Sequence, residues 1–116
     1  MNTRVKGNEY ELKCVKYLEK AGVSRIIRNY RCRSGEVDII GYDKDTVVFF
    51  EVKYRSSSKS GFGSEAVGFS KQRKISKVAG YYLMANHLNM DTSVRFDVLS
   101  VDGDKITWYK NAFEYV

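Results

Sequence analysis

The densest apolar pattern lies between Gly35 and Lys53. Val37, Ile39 and Ile40 form one arm, Val47, Val48, Phe49 and Phe50 the other, and Asp43-Lys44-Asp45 separates them. The pattern predicts two buried strands joined by a tight polar turn. Three charges interrupt it, Asp38, Glu51 and Lys53. A charge in a buried strand is costly unless something pairs with it.

A helical period precedes this pair. Over 7–21, Leu12, Val15 and Leu18 recur at helical spacing beside Cys14 and Ala21, and Gly22 supplies a stop. Glu11 falls on that apolar stripe rather than on the wet face. It reads either as a first-turn acid favoured by the helix dipole or as an acid aimed inward at a site. Residues 24–31 alternate as a strand whose charges suit a sheet edge, and Cys32-Arg33-Ser34-Gly35 is a turn. After Lys53, serine and glycine predict a mobile loop over 54–64. A second helix is expected over 70–85, with Ile75, Val78, Ala79, Tyr82 and Leu83 inward. Residues 94–101 form a further strand, Asp102-Gly103 a hairpin turn, and 105–109 the last strand. The order predicts one α/β domain over 1–116, a mixed sheet of about five strands flanked by helices.

Geometry sharpens the charged pair. If Lys44-Asp45 is a two-residue loop, Asp43 pairs with Thr46 and Asp38 lies opposite Glu51. Directly opposed residues have Cβ atoms about 4.5–5.5 Å apart, and like charges there repel. A three-residue loop would make the pair diagonal, and Lys-Asp is not a favoured tight-turn pair. Glu51 and Lys53 share a face, with Val52 turned away. Two facing carboxylates make sense around a cation. Hard oxygen donors suit magnesium, manganese or calcium.

Composition narrows the partners. The 116 residues hold 20 Lys+Arg against 14 Asp+Glu, a formal net charge of +6. That balance suits a polyanion such as nucleic acid, though solubility alone also accounts for it. Cys14 and Cys32 lack metal-type spacing, and His87 is the single histidine, so zinc and a histidine triad are disfavoured. No leader or membrane-length apolar run is seen, which makes the cytoplasm the expected compartment. Arg28, Arg31 and Arg33 either contact phosphates or are solvated. Lys59 and Phe62 could clamp a strand by charge and stacking, or belong to a plain linker. Lys71, Arg73, Lys74 and Lys77 load the start of the second helix, against its dipole, which hints at an anionic ligand beside the alternative of a solvated face. Lys71 is in line with the apolar stripe at the expected mouth of the site, next to Gln72. Asp97 reads as a site acid or, more simply, as a partner of Arg95.

Glu11 on a helix, Asp38 on a strand and Glu51-Val52-Lys53 on the next resemble the PD-(D/E)xK nuclease superfamily, the restriction-endonuclease-like fold with its αβββαβ core. Gly7 through Glu11, Cys14, Tyr17-Leu18, Arg28 through Arg31, Gly35 through Ile40, Phe50 through Arg55, Phe62-Gly63 through Lys71-Gln72 and Arg95 through Val98 resemble its bacterial YraN branch. Tyr10 departs from that branch's usual glycine, and Cys14 stands at its small-residue position. The resemblance implies a fold like archaeal Holliday-junction resolvases. It also implies a catalytic set of Glu11, Asp38, Glu51 and Lys53. The three acids would hold Mg2+ or Mn2+, and Lys53 would be the catalytic lysine. Neighbouring carboxylates favour the charged form of a lysine, which favours an electrostatic role for Lys53 over that of a base. Arg31, Arg33, Arg55, Lys59, Lys71, Gln72 and Lys74 are the candidate nucleic-acid contacts. The expected activity is cleavage of nucleic acid, DNA ahead of RNA, at junctions, flaps or ends and without base reading, with a homodimer suited to a two-strand substrate. Two other readings compete: a binding module that cuts nothing, and a scaffold in which Lys53 pairs with Glu51 or Asp38 without metal.

Overall fold

The computed structural model describes residues 3–55, 67–89 and 91–116, with side chains from residue 9 onward and excepting that of Arg55. The elements are α1 (Thr3–Lys20), β1 (Ser24–Cys32), β2 (Gly35–Asp43), β3 (Thr46–Arg55), α2 (Phe69–Ala85), β4 (Val94–Asp102) and β5 (Lys105–Phe113). The expected loop residues 56–64, with Lys59 and Phe62, lie outside the described residues.

The strands form one five-stranded sheet in the order β1-β2-β3-β4-β5. β3 and β4 are parallel, and every other neighbour is antiparallel. β1 is an edge, as its charges predict. The central strand β3 reads Val47-Val48-Phe49-Phe50, apolar on both faces, because a helix covers each face of the sheet. Cys14 and Leu18 of α1 pack on Ile39, Val48, Phe50, Val52, Leu99 and Val101. On the opposite face, Ile75, Val78, Ala79, Tyr82 and Leu83 of α2 pack on Val37, Ile40, Val47, Phe49, Phe96 and Val98.

Chain ends of helices follow local chemistry. After α1, Val23 N–H donates to the Leu18 carbonyl at 3.0 Å and Gly22 N–H to that of Glu19 at 3.1 Å. Gly22 holds φ +96°, which glycine adopts without a Cβ penalty. Leu18 and Val23 are both buried beneath this turn. Gly41 answers a different need. A Cβ there would lie 2.6 Å from Val23 Cγ1, so the α1–β1 connection can close on β2 only over a glycine.

Three local expectations change. Leu12 is 47% exposed, because the stripe that reaches the sheet runs through Glu11, Cys14 and Leu18. The last hairpin pairs Asp102 with Lys105 and so turns at Gly103-Asp104, one position later than expected, with Gly103 at φ +61°. The last strand continues to Phe113, because a bulge lets it bend past Asp97 and bury that ring.

Candidate metal and nucleic-acid site

The β2–β3 turn is the two-residue loop, with Asp43 opposite Thr46 and Ile39 opposite Phe50. Backbone pairing stops there. One step further, the same register sets Asp38 against Glu51. Asp38 Oδ2 instead accepts the Val52 N–H at 2.8 Å. A carboxylate has replaced the ladder partner, so the amide is satisfied while the strand ends part. Val37 packs on the α2 face and Ile39 on the α1 face, so side-chain alternation slips at Asp38. That slip allows one acid to reach a backbone amide of the neighbouring strand.

Glu51 is 4% exposed and ion-paired through Oε1 with Lys71 Nζ at 2.7 Å. Its partner is therefore Lys71 of α2, not Lys53. Phe49 packs under α2 and Val52 under α1, so alternation sets Glu51 and Lys53 on the α2 side. Lys53 is half-buried and makes no ion pair among the described residues. Burial, and then the charge of Glu51, push the Asp38 carboxyl up to about 6, against the pull of the Val52 N–H and Lys71. For Lys71, burial works against the charge, but the hydrogen bond and charge of Glu51 outweigh it and raise its pKa.

Glu11 is buried at 8% exposure on α1. Its Oε1 meets Arg28 Nη2 at 3.5 Å, the outer limit of a hydrogen bond. The Arg28 Nε is buried and unpartnered among the described residues. Glu11 and Asp38 are both felt at Cys14, whose thiol is pushed up to about 12, first by burial and then by these charges. Tyr54 feels burial first, then Glu11 and Asp38, and its hydroxyl is raised well above the usual range. Its ring lies 4.9 Å from that of Tyr10. By alternation Tyr54 lies with Val52 on the α1 side, beside Tyr10.

The basic residues divide. Arg31 is exposed and bonded to Glu36 at 2.9 Å, and Arg33 is exposed at the β1–β2 turn. Lys74 is exposed on α2 above Gly35, where a Cβ would lie 3.9 Å from its own. The hairpin turn with Arg33 and the start of α2 thus meet at one end of the molecule. The Gln72 amide donates to the Val67 carbonyl at 2.8 Å and holds the entry to α2. Arg55 pairs in the sheet with Asp102. Lys59 lies outside the described residues.

Among the described residues no group of three or more His, Cys, Asp and Glu side chains is spaced to hold a metal ion. The adjacent pair Asp38 and Glu51 nevertheless fits a hard divalent cation. Magnesium is usually held by one or two carboxylates, with water and phosphate oxygens completing its shell. Asp97, by contrast, is wholly buried and pairs with Arg95 at 2.9 Å, so it is structural. Among the described residues no helix is long and apolar enough to cross a membrane.

These features define an α/β protein whose two-faced mixed sheet carries a pair of opposed acids where two strands part. The chain belongs to the family described as uncharacterised protein family UPF0102, whose model matches residues 10–101. A UPF0102 protein of Lachnoclostridium phytofermentans is 43% identical over 114 residues, covering 98% of this chain and 97% of its own. One from Aliivibrio salmonicida is 46% identical, covering 96% and 93%, and one from Fusobacterium nucleatum 45%, covering 96% and 92%. Among solved structures, SSO0001 is similar in fold, with a TM-score of 0.51 and 15% identity over 98% of this chain. The chain spans about half, 53%, of that protein's length.

Proposed function

We propose that this protein is a metal-dependent nuclease that cleaves DNA phosphodiester bonds at junctions, flaps or ends without reading bases. The observation that carries this reading is the meeting of Asp38 and Glu51 at the end of the β2–β3 ladder, with Asp38 held near 6 largely by burial and its neighbour's charge. Facing carboxylates that share only one backbone donor and one half-exposed lysine among the described residues are the kind of site that a cation would complete. The resemblance to PD-(D/E)xK nucleases and Holliday-junction resolvases supports the same reading. Asp38 and Glu51 would hold Mg2+ or Mn2+, with Glu11 contributing directly or through water. The ion supplies polarisation of the phosphate and activation of water. Lys53, on the Glu51 side of β3, would orient the attacking water and balance charge as the phosphorane develops. Arg33 and Lys74 would hold the backbone. A second copy of the chain would suit a two-strand substrate.

Radiolabelled four-way junction, flap, single-stranded and duplex DNA, each with magnesium, manganese or chelator, test the reading. Wild type should cut a branched substrate only with metal, and Lys53→Ala and Asp38→Ala should lose at least about a hundredfold in rate. Salt-sensitive binding with no cutting in either metal would replace it with a binding module.

A further inference from the structure

Lys71 presents an arrangement that the nuclease reading leaves unused. It is the third residue of α2, and its ammonium reaches across to a carboxylate on β3. Glu51 is almost fully buried, while the Lys71 side chain is 48% exposed. One end of the pair is fixed in the sheet, and the other is a flexible four-carbon stem beside solvent. Lys53 sits on the same face of the same strand as Glu51, yet among the described residues it makes no ion pair.

Shared geometry limits what can occupy this place. The Lys71 ammonium already holds Glu51 Oε1 at 2.7 Å. A divalent cation on that carboxylate would stand within contact distance of a second positive charge on the same acceptor. The two are therefore competitors. A lysine can yield without moving its helix, because rotation about its stem carries the ammonium into water.

We propose that the Lys71 ammonium is the chain's own stand-in for the divalent cation: it neutralises Glu51 until the ion arrives, then withdraws toward the phosphate-facing side of α2. The inference rests on the cation site proposed above and adds its loading mechanism. The released ammonium points along the same helix end as Lys74, so metal loading and preparation of a phosphate contact become one event. Binding of the ion then reports only the fraction of molecules in which Lys71 is withdrawn, and its apparent affinity is reduced by that fraction.

Titration of Mn2+ into the full chain, followed by the paramagnetic resonance of the free ion, tests this without any substrate. Wild type, Lys71→Met and Lys71→Gln would be compared, with Asp38→Asn beside them and melting curves taken in chelator and in Mn2+. Both lysine variants should bind Mn2+ about tenfold more tightly than wild type if the pair is open about a tenth of the time. They should also melt lower than wild type in chelator and gain more from Mn2+. Equal or weaker Mn2+ binding by folded lysine variants, with wild-type binding that Asp38→Asn abolishes, would overturn the inference and leave the cation site standing. Failure of wild type and both variants to bind Mn2+ would overturn the site and the inference together.

Discussion

Two ends of one sheet treat their acids in opposite ways. At the β4–β5 end, Asp97 is wholly buried and fully engaged. It accepts three contacts from Arg95, the Trp108 indole N–H at 2.7 Å and the Asn111 N–H at 2.9 Å. Arg95 reaches on to Asp43 at 2.9 Å. Every lone pair has a donor, and the acids are separated by a guanidinium. At the β2–β3 end, two acids face each other. One has a single backbone donor among the described residues, and the other a lysine that is half in water. Burial alone does not mark an acid as functional. What supports the functional reading proposed for Asp38 and Glu51 is their incomplete, like-charged and partly wet set of partners.

Removal of one acid from each end should break the comparison in opposite directions. The largest effect is expected for Asp97→Ala, which leaves the Trp108 N–H and the Asn111 N–H without their acceptor and Arg95 with Asp43 alone. Breaking a buried pair of this kind costs about 3–5 kcal/mol, a large share of an ordinary domain's stability. Urea denaturation would read it, and a loss under about 1 kcal/mol would sink the structural assignment of Asp97. The opposite sign is expected at the other end. Asp38→Asn keeps an oxygen for the Val52 N–H while removing the repulsion with Glu51. In chelator it should gain on the order of 1 kcal/mol, roughly 4 °C in melting temperature, while abolishing metal binding. A marked loss of stability would mean that the Asp38 charge is itself structural.

The smallest effect is a pH dependence of that gain. Asp38 titrates near 6 in the folded chain against an ordinary 3.8, so the folded form binds its proton more tightly. Its favourable contribution is present below about 4 and is lost as pH rises through about 6. Protonated Asp and Asn are alike in shape. The melting-temperature difference between Asp38→Asn and wild type should therefore be near zero at pH 4 and grow to its full size by pH 7. Asp43 is shifted downward by its Arg95 hydrogen bond, but it is common to both proteins and cancels. A difference that stays flat across this range would show that the Asp38 carboxyl is not raised.

Short-range rules made much of this legible. The polar triplet Asp43-Lys44-Asp45 located the hairpin but left a two- or three-residue loop open, and the structure has the two-residue one; period-two counting put Glu51 and Lys53 on one side. The helical stripe aimed Glu11 inward, and its burial follows. Features that depend on irregular backbone were hidden. Leu12 fits the stripe by spacing, yet α1 meets the sheet through a narrower line. The bulge that brings Asn111, at φ +54°, to Asp97 has no sequence marker. Likewise the slip at Asp38 cannot be counted from alternation, and the Glu51 partner sits on an element distant in sequence. The nearer Lys53 is the natural guess, and tertiary placement of α2 gives the place to Lys71 instead.

The parallel pairing of β3 with β4 has a consequence for the order in which the molecule assembles. The β1–β2–β3 meander and the β4–β5 hairpin each close over tight turns, which form within microseconds. Joining them sets Phe50 beside Asp97, and that requires closing a long crossover that includes α2. The two facing acids therefore belong to an early, local unit, and the lysine that tempers them arrives with the late one. Folded in that order, the acids would stand without their counter-charge until α2 docks, and the proposed divalent ion would meet the least competition in that interval.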